Sequence, residues 1–230
     1  MKDSNKVLVI GGGGREHAII HKLKESDKVS KIYCAPGNGG IARDAECVPI
    51  GVMEFDKLVD FAKSNEIDMV MVAPDDPLAA GAVDAFENAG IRAFGPNKRA
   101  AIIEGSKAFS KDLMKKYNIP TAKYEVFSNS VEAIGYIKEQ DTYPIVVKAD
   151  GLALGKGVII AETFEDAEKA VHEIMDDKVF GSAGGKVVIE EFLTGPEISV
   201  LAFTDGKTIK PMVSAQDHKR AFDNDKGPNT

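Results

Sequence analysis

Cysteine is nearly absent from this chain, with Cys34 and Cys47 its only two. That scarcity excludes a disulfide scaffold, and both thiols are expected to be reduced and partly buried rather than metal-bound. Long apolar runs are also missing. No stretch approaches the ~20 residues that cross a bilayer. The short apolar run 7–10 is too brief for a signal-peptide core, so the chain is expected in the cytoplasm and away from membranes. Positive charge is in deficit: 29 Lys and Arg against 36 Asp and Glu leave a net charge of −7, which argues against a general nucleic-acid binder. Repeats and low-complexity segments are lacking too. What is present is a chain of 230 residues, 43% hydrophobic and 28% charged, the composition of a soluble globular protein with room for one large or two ordinary domains. Anionic ligands can still bind where glycine loops and lysines override the overall field.

Short apolar strands alternate with amphipathic helices through the first hundred residues. Strands are expected at 7–10, 32–34, 47–49, 69–72 and 92–94, and helices at 16–24, 55–64, 78–88 and 98–103. Alternation of this kind predicts a doubly wound parallel sheet with ligands at the carboxyl ends of its strands. Ser106 is placed to cap a lysine-rich helix over 107–117, closed by Pro120. Beyond it the rhythm becomes α+β, with strands at 122–127, 145–148, 158–161 and 187–191. Helices fall at 131–139 and from Thr163 to about 175. A hairpin is expected across Asp205-Gly206. Residues 223–230 are turn chemistry with no element after them, so the chain is expected to be a fragment.

The densest signal is Pro144-Ile-Val-Val-Lys-Ala-Asp-Gly-Leu-Ala-Leu-Gly-Lys-Gly-Val158. An apolar strand delivers Lys148, and a loop carries Asp150, Gly151, Gly155, Lys156 and Gly157 before a strand resumes. Glycines admit a polyanion close to the backbone, and lysines supply the opposing charge. The Walker pattern fails, because Gly157 stands where its hydroxyl residue belongs. A solvated surface hairpin is the alternative, but so many glycines and lysines inside a strand pair weaken a sheet without any packing gain. A flap over nucleotide phosphates is therefore expected.

Gly11, Gly12, Gly13, Gly14, Arg15 and Glu16 join the first strand to a helix, an anion site made from backbone amides and the helix dipole. The dinucleotide fingerprint does not fit. Glu16 holds its third glycine position, where it is expected to crowd helix against strand, and Cys34-Ala35-Pro36 replaces the ribose-binding acid. A phosphate ester suits the loop better, and a bare glycine turn remains open. Residues 35–40, with Gly37 and Asn38, and residues 73–78, with Asp75, occupy the same sheet edge. They are either ligand loops or well-formed turns, with Asp76 before Pro77 a plausible helix cap. Glu190, Glu191, Phe192 and Leu193, followed by Glu197, combine an apolar slot with carboxylates, as adenine and ribose require. An exposed acidic strand end reads equally well. His17 is expected on a helix surface.

Taken in order, Gly11–Ala18, Ala35–Gly40, Pro74–Leu78, Gly95-Pro96, the flap, Glu190–Glu197, Gln216-Asp-His-Lys-Arg220 and Gly227-Pro-Asn-Thr230 resemble the N-terminal part of the phosphoribosylamine–glycine ligases, ATP-grasp enzymes of purine biosynthesis. The resemblance spans the whole chain. It implies a substrate-binding pre-ATP-grasp domain over 1–104, a connecting helix over 105–120, a lid domain over 121–191, and the beginning of a larger domain over 192–230. It implies that Lys107 and Lys148 contact ATP phosphates under the flap, that residues 190–193 hold adenine and that Glu197 holds ribose. Residues 11–16 would take the phosphate of phosphoribosylamine with Asp75 near its ribose. Lys219 and Arg220 would lie on the large-domain side. Two departures stand out. Asp75 replaces the family's usual glutamate and Ala73 a glycine, which shortens the reach to ribose. The family's Mg²⁺ ligands are expected beyond Thr230, so no metal ligand is assigned here, and the chain alone is expected to be inactive and monomeric. Glycine- and amine-dependent ADP formation by these 230 residues would overturn that expectation. A different ATP-grasp carboxylate–amine ligase and a non-catalytic nucleotide-binding module are the rival readings.

Overall fold

The computed structural model describes residues 4–153, 156–216, 220–223 and 226–229. They form two compact units, Met1–Phe192 and Leu193–Thr230. In the first unit the chain begins β1 (Asn5–Gly11), α1 (Gly14–Lys24), β2 (Val29–Pro36), β3 (Glu46–Cys47), α2 (Phe55–Ser64), β4 (Met69–Val72), α3 (Asp75–Ala80), α4 (Ala82–Asn88), β5 (Ala93–Phe94). The five strands pair in parallel in the order β3-β2-β1-β4-β5. Side chains alternate across a strand, so β1 serves two cores at once. Leu8 and Ile10 pack with Leu58, Val83 and Phe86 on the side of α2 and α4. Val7 and Val9 pack with Ile20 of α1 and with Ile32 and Ile41. This is the doubly wound sheet that the alternation predicts.

The segment expected as one helix over 78–88 is two. Gly81, at φ 101, ends α3 and opens α4, a left-handed position that glycine adopts at little cost. The helix also starts earlier than expected. Pro74 holds the cap position, and Asp76 and Pro77 lie inside the first turn, where a missing N–H costs no intrahelical bond. Asp76 is therefore not the cap.

The chain continues with α5 (Lys98–Gly105), α6 (Lys107–Lys116), β6 (Tyr124–Phe127), α7 (Ser130–Gln140), β7 (Ile145–Ala149), β8 (Val158–Ala161), α8 (Phe164–Met175) and β9 (Val187–Glu191). Ser106 caps α6 by accepting from the Phe109 amide at 3.1 Å, and Thr163 caps α8 by accepting from Asp166 at 3.2 Å. The strands form an antiparallel sheet in the order β6-β9-β7-β8. One face carries α7 and α8, whose Ala133, Ile137, Val171 and Ile174 bury Val147, Val187 and Ile189. Lys148 pairs in register with Val158, so the glycine-rich loop is the connection between two antiparallel neighbours.

The second unit contains the hairpin β10 (Ala202–Thr204) and β11 (Ile209–Pro211), with Asp205 Oδ1 accepting from Lys207 and Thr208, and the pair β12 (Arg220–Phe222) and β13 (Lys226–Asn229).

Both cysteines are free thiols. Cys34 is fully buried and donates to the Gly11 carbonyl at 3.2 Å, and burial pushes its thiol up to about 12. Only the thiolate alkylates, so native protein at pH 8 is expected to leave Cys34 unmodified until denaturant is added. Mass spectrometry of iodoacetamide-treated peptides checks this, and labelling of Cys34 in the folded chain would contradict it.

Candidate functional site

The order of the parallel sheet reverses between β1 and β4, and a crevice opens beyond the carboxyl ends of these strands, as open α/β sheets require. Gly13, Gly14, Arg15 and Glu16 line it from the loop after β1, and Ala73, Pro74, Asp75 and Asp76 from the loop after β4. Glu104 and Lys107 close another wall. Leu152, Ala153, Gly157 and Val158 contribute the root of the flap, and the open cleft measures about 690 Å³. Ligand clefts typically occupy ~300–1,000 Å³.

Glu16 does not crowd the sheet. Its buried side chain turns back so that Oε2 accepts from the Gly13 amide. A Cβ on Gly11 would lie 2.5 Å from Glu16 Cγ, so the missing side chain at Gly11 supplies the space that Glu16 fills. Gly14 and Arg15 are exposed at the head of α1, where first-turn amides have no intrahelical acceptor. The neighbouring loop is tied in closely. Asn38 Nδ2 donates to the Gly12 carbonyl at 2.7 Å, and the Gly37 amide donates to the Gly11 carbonyl at 3.1 Å. His17 is half-buried against Asp44, Nε2 to Oδ2 2.9 Å.

On the nucleotide side, α6 is fastened to the flap. Asp150 accepts from Ser106 Oγ at 3.0 Å and from the Ala108 amide at 2.7 Å, and its carbonyl accepts from the Lys107 amide. The Asp150 carboxylate is thus a second cap on α6. Lys107 Nζ donates to the Gly151 carbonyl at 2.9 Å. Burial holds the Lys107 ammonium below its usual range, opposed by the Asp150 and Glu104 carboxylates. Lys148 Nζ donates to Glu190 Oε2 at 2.9 Å. Lys156 is exposed, whereas Gly157 is buried in the flap root. Glu191 Oε1 accepts from the Lys123 amide at 2.8 Å, and Phe192 is partly exposed at the end of β9. Leu193 and Glu197 are exposed residues of the second unit, and Arg220 opens β12. Gly155 and Lys219 lie outside the described residues. Among the described residues no cluster of three or more His, Cys, Asp or Glu side chains could hold a metal ion, and no helix is long and apolar enough to cross a membrane.

Sequence reasoning passes over Lys111. It is buried on α6, one turn beyond Lys107, and its Nζ lies 3.0 Å from the same Glu190 Oε2 that Lys148 holds. The signal available in sequence was the spacing from Lys107, since residues four apart share a helix face. Lys107 already pointed that face at the flap.

A parallel sheet with a switch-point crevice, facing a glycine-rich flap on an antiparallel sheet, is an ATP-grasp arrangement. Residues 5–104 match the model of the phosphoribosylglycinamide synthetase N domain, and residues 105–230 that of its ATP-grasp (A) domain. The chain belongs to the phosphoribosylglycinamide synthetase family. It is 55% identical over 224 residues to a phosphoribosylamine–glycine ligase of Halalkalibacterium halodurans, covering 97% of this chain and 52% of that one. A Streptococcus pyogenes ligase of the same name is 56% identical over 226 residues, covering 98% and 53%. The crystal structure of phosphoribosylamine–glycine ligase from Thermotoga maritima superposes with a TM-score of 0.80 at 33% identity, covering 98% of this chain and 53% of that one. A biotin carboxylase from Campylobacter jejuni shares the fold, with a TM-score of 0.73 at 18% identity over 90% of this chain and 50% of that one. The chain spans about half the length of the curated relatives it matches.

Proposed function

We propose that this chain supplies the phosphoribosylamine site and the nucleotide lid of an ATP-dependent ligase that joins glycine to 5-phosphoribosylamine. The products are glycinamide ribonucleotide, ADP and phosphate. One observation carries the reading: the glycine loop after β1, the Asp75 loop after β4, Lys107 and the flap root meet in a single cleft. A phosphate ester on the Gly14 and Arg15 amides would place its ribose toward Asp75. An ATP lying along Lys107 and Lys148 would direct its γ-phosphate into the same space, with its base beside Glu190 to Phe192 at the end of β9. Leu193 and Glu197 are proposed as adenine and ribose ligands on the family resemblance alone. A carboxylate oxygen of glycine attacks the γ-phosphorus and ADP leaves. The amine of phosphoribosylamine then attacks the acyl carbon, and phosphate leaves. The residues assigned here orient the reactants, offset charge and exclude water under the flap. Mg²⁺ is proposed as the counter-ion of the ATP phosphates, supplying further charge neutralisation. The domain limits 1–104, 105–120, 121–191 and 192–230 are part of this proposal. So are a cytoplasmic setting, a monomeric state and small-molecule partners only.

ADP release by the full-length gene product, with phosphoribosylamine and glycine omitted in turn, tests the proposal. Release should fall to background in either omission. Release that persists without phosphoribosylamine would assign the chain to another ATP-grasp ligase. ATP binding with no turnover in the complete mixture would leave only a nucleotide-binding module.

A further inference from the structure

Three charged side chains meet at one buried oxygen. Glu190 Oε2 accepts from Lys148 at 2.9 Å and lies 3.0 Å from Lys111, while Glu190 Oε1 is buried with no hydrogen-bond partner among the described residues. The two lysines differ in what they have left to offer. An ammonium has three donors. Lys111 Nζ donates to Thr121 Oγ1 at 2.7 Å, is ion-paired with Glu190 at 3.0 Å, and lies 5.4 Å from the centre of the Tyr124 ring. Its side chain is only 10% exposed, so it is shut away from any nucleotide. Lys148 is 25% exposed and spends one donor on Glu190.

We infer that Lys111 is a positioning residue that keeps Lys148 electrostatically available to the ATP phosphates by sharing the charge of Glu190. This rests on the proposed placement of Lys148 against those phosphates. With Lys148 alone, Glu190 would cancel its charge. With Lys111 present, the cluster carries a formal charge of +1, and the accessible part of that charge is the free end of Lys148.

The measurement is calorimetric titration of the full-length gene product with ATP and with adenosine, taking the ratio of the two dissociation constants so that contacts to the base cancel. Removal of one unit charge at this range should cost phosphate affinity about tenfold. Lys111→Met should therefore lower the preference for ATP over adenosine about tenfold. Lys111→Met combined with Glu190→Gln restores the formal charge and should return the preference to within about threefold of the parent. Recovery in the double variant supports the charge-sharing role. A preference unchanged in Lys111→Met, or still lost in the double variant, overturns it. If Lys111→Met alone does not fold, the double variant decides, since it contains no uncompensated carboxylate. A parent protein that binds ATP and adenosine equally would instead refute the placement of Lys148 at the phosphates.

Discussion

Replacing Glu190 by alanine is expected to destabilise the first unit by about 3–5 kcal/mol and to lower its melting temperature by roughly 10 °C. The cost does not come from a lost attraction alone. Lys111 is buried on α6, and its carboxylate partner is the only anion paired with it among the described residues. Removing that partner leaves an ammonium in a low-dielectric site, the expensive way to break a buried pair. Lys148 suffers less, because its free end reaches solvent. Adding Lys111→Met to Glu190→Ala should therefore recover most of the loss, since the remaining lysine can hydrate. Differential scanning calorimetry of the single and double variants checks both statements. Additive losses would show that the cluster is not the energetic unit described here.

On the proposed function, Gly12→Val in the full-length gene product is expected to lower kcat/KM for phosphoribosylamine about a hundredfold while leaving the KM for ATP within a few-fold of the parent. A Cβ at Gly12 would lie 2.7 Å from the carbonyl oxygen of Gly37. The obstacle is backbone, which cannot rotate away as a side chain could. The loops after β1 and β2 must part, and the 2.7 Å bond from Asn38 to the Gly12 carbonyl goes with them. Overpacking of this kind costs about 1–3 kcal/mol in stability. Its larger effect falls on the amides of Gly14 and Arg15, which sit at the other end of the displaced loop. Steady-state kinetics with each substrate varied in turn separates the two. A matched loss in the ATP KM would mean that the damage is global.

The parallel sheet was legible because its strands alternate with amphipathic helices and the central one, β1, is an apolar run buried on both faces, so period and punctuation agree. The flap was legible because glycines and lysines inside a strand pair have no packing purpose. The break at Gly81 was not, since glycine near the middle of an amphipathic stretch is compatible with a continuous helix. The inward turn of Glu16 was hidden for a different reason: its space is created by Gly11, five residues earlier. Sequence order placed Asp150 in the flap loop. Only the packing of α6 shows that its carboxylate is already occupied by Ser106 and Ala108. Lys111 was obscured by its own chemistry, because a lysine on a helix rich in lysine reads as a solvated side chain until the helix is placed against β9.

The attachment of α6 also bears on how this lid could be moved between proteins. Its first turn is bonded to Asp150 and Gly151 at the root of the flap, and its second turn to Glu190 on β9. A chimera that begins the transplanted segment at residue 121 would sever every one of these bonds, import Glu190 without Lys111 and leave that lysine behind without its counter-charge. The exchangeable cassette therefore starts at Ser106, and the helix travels with the sheet it appears only to precede.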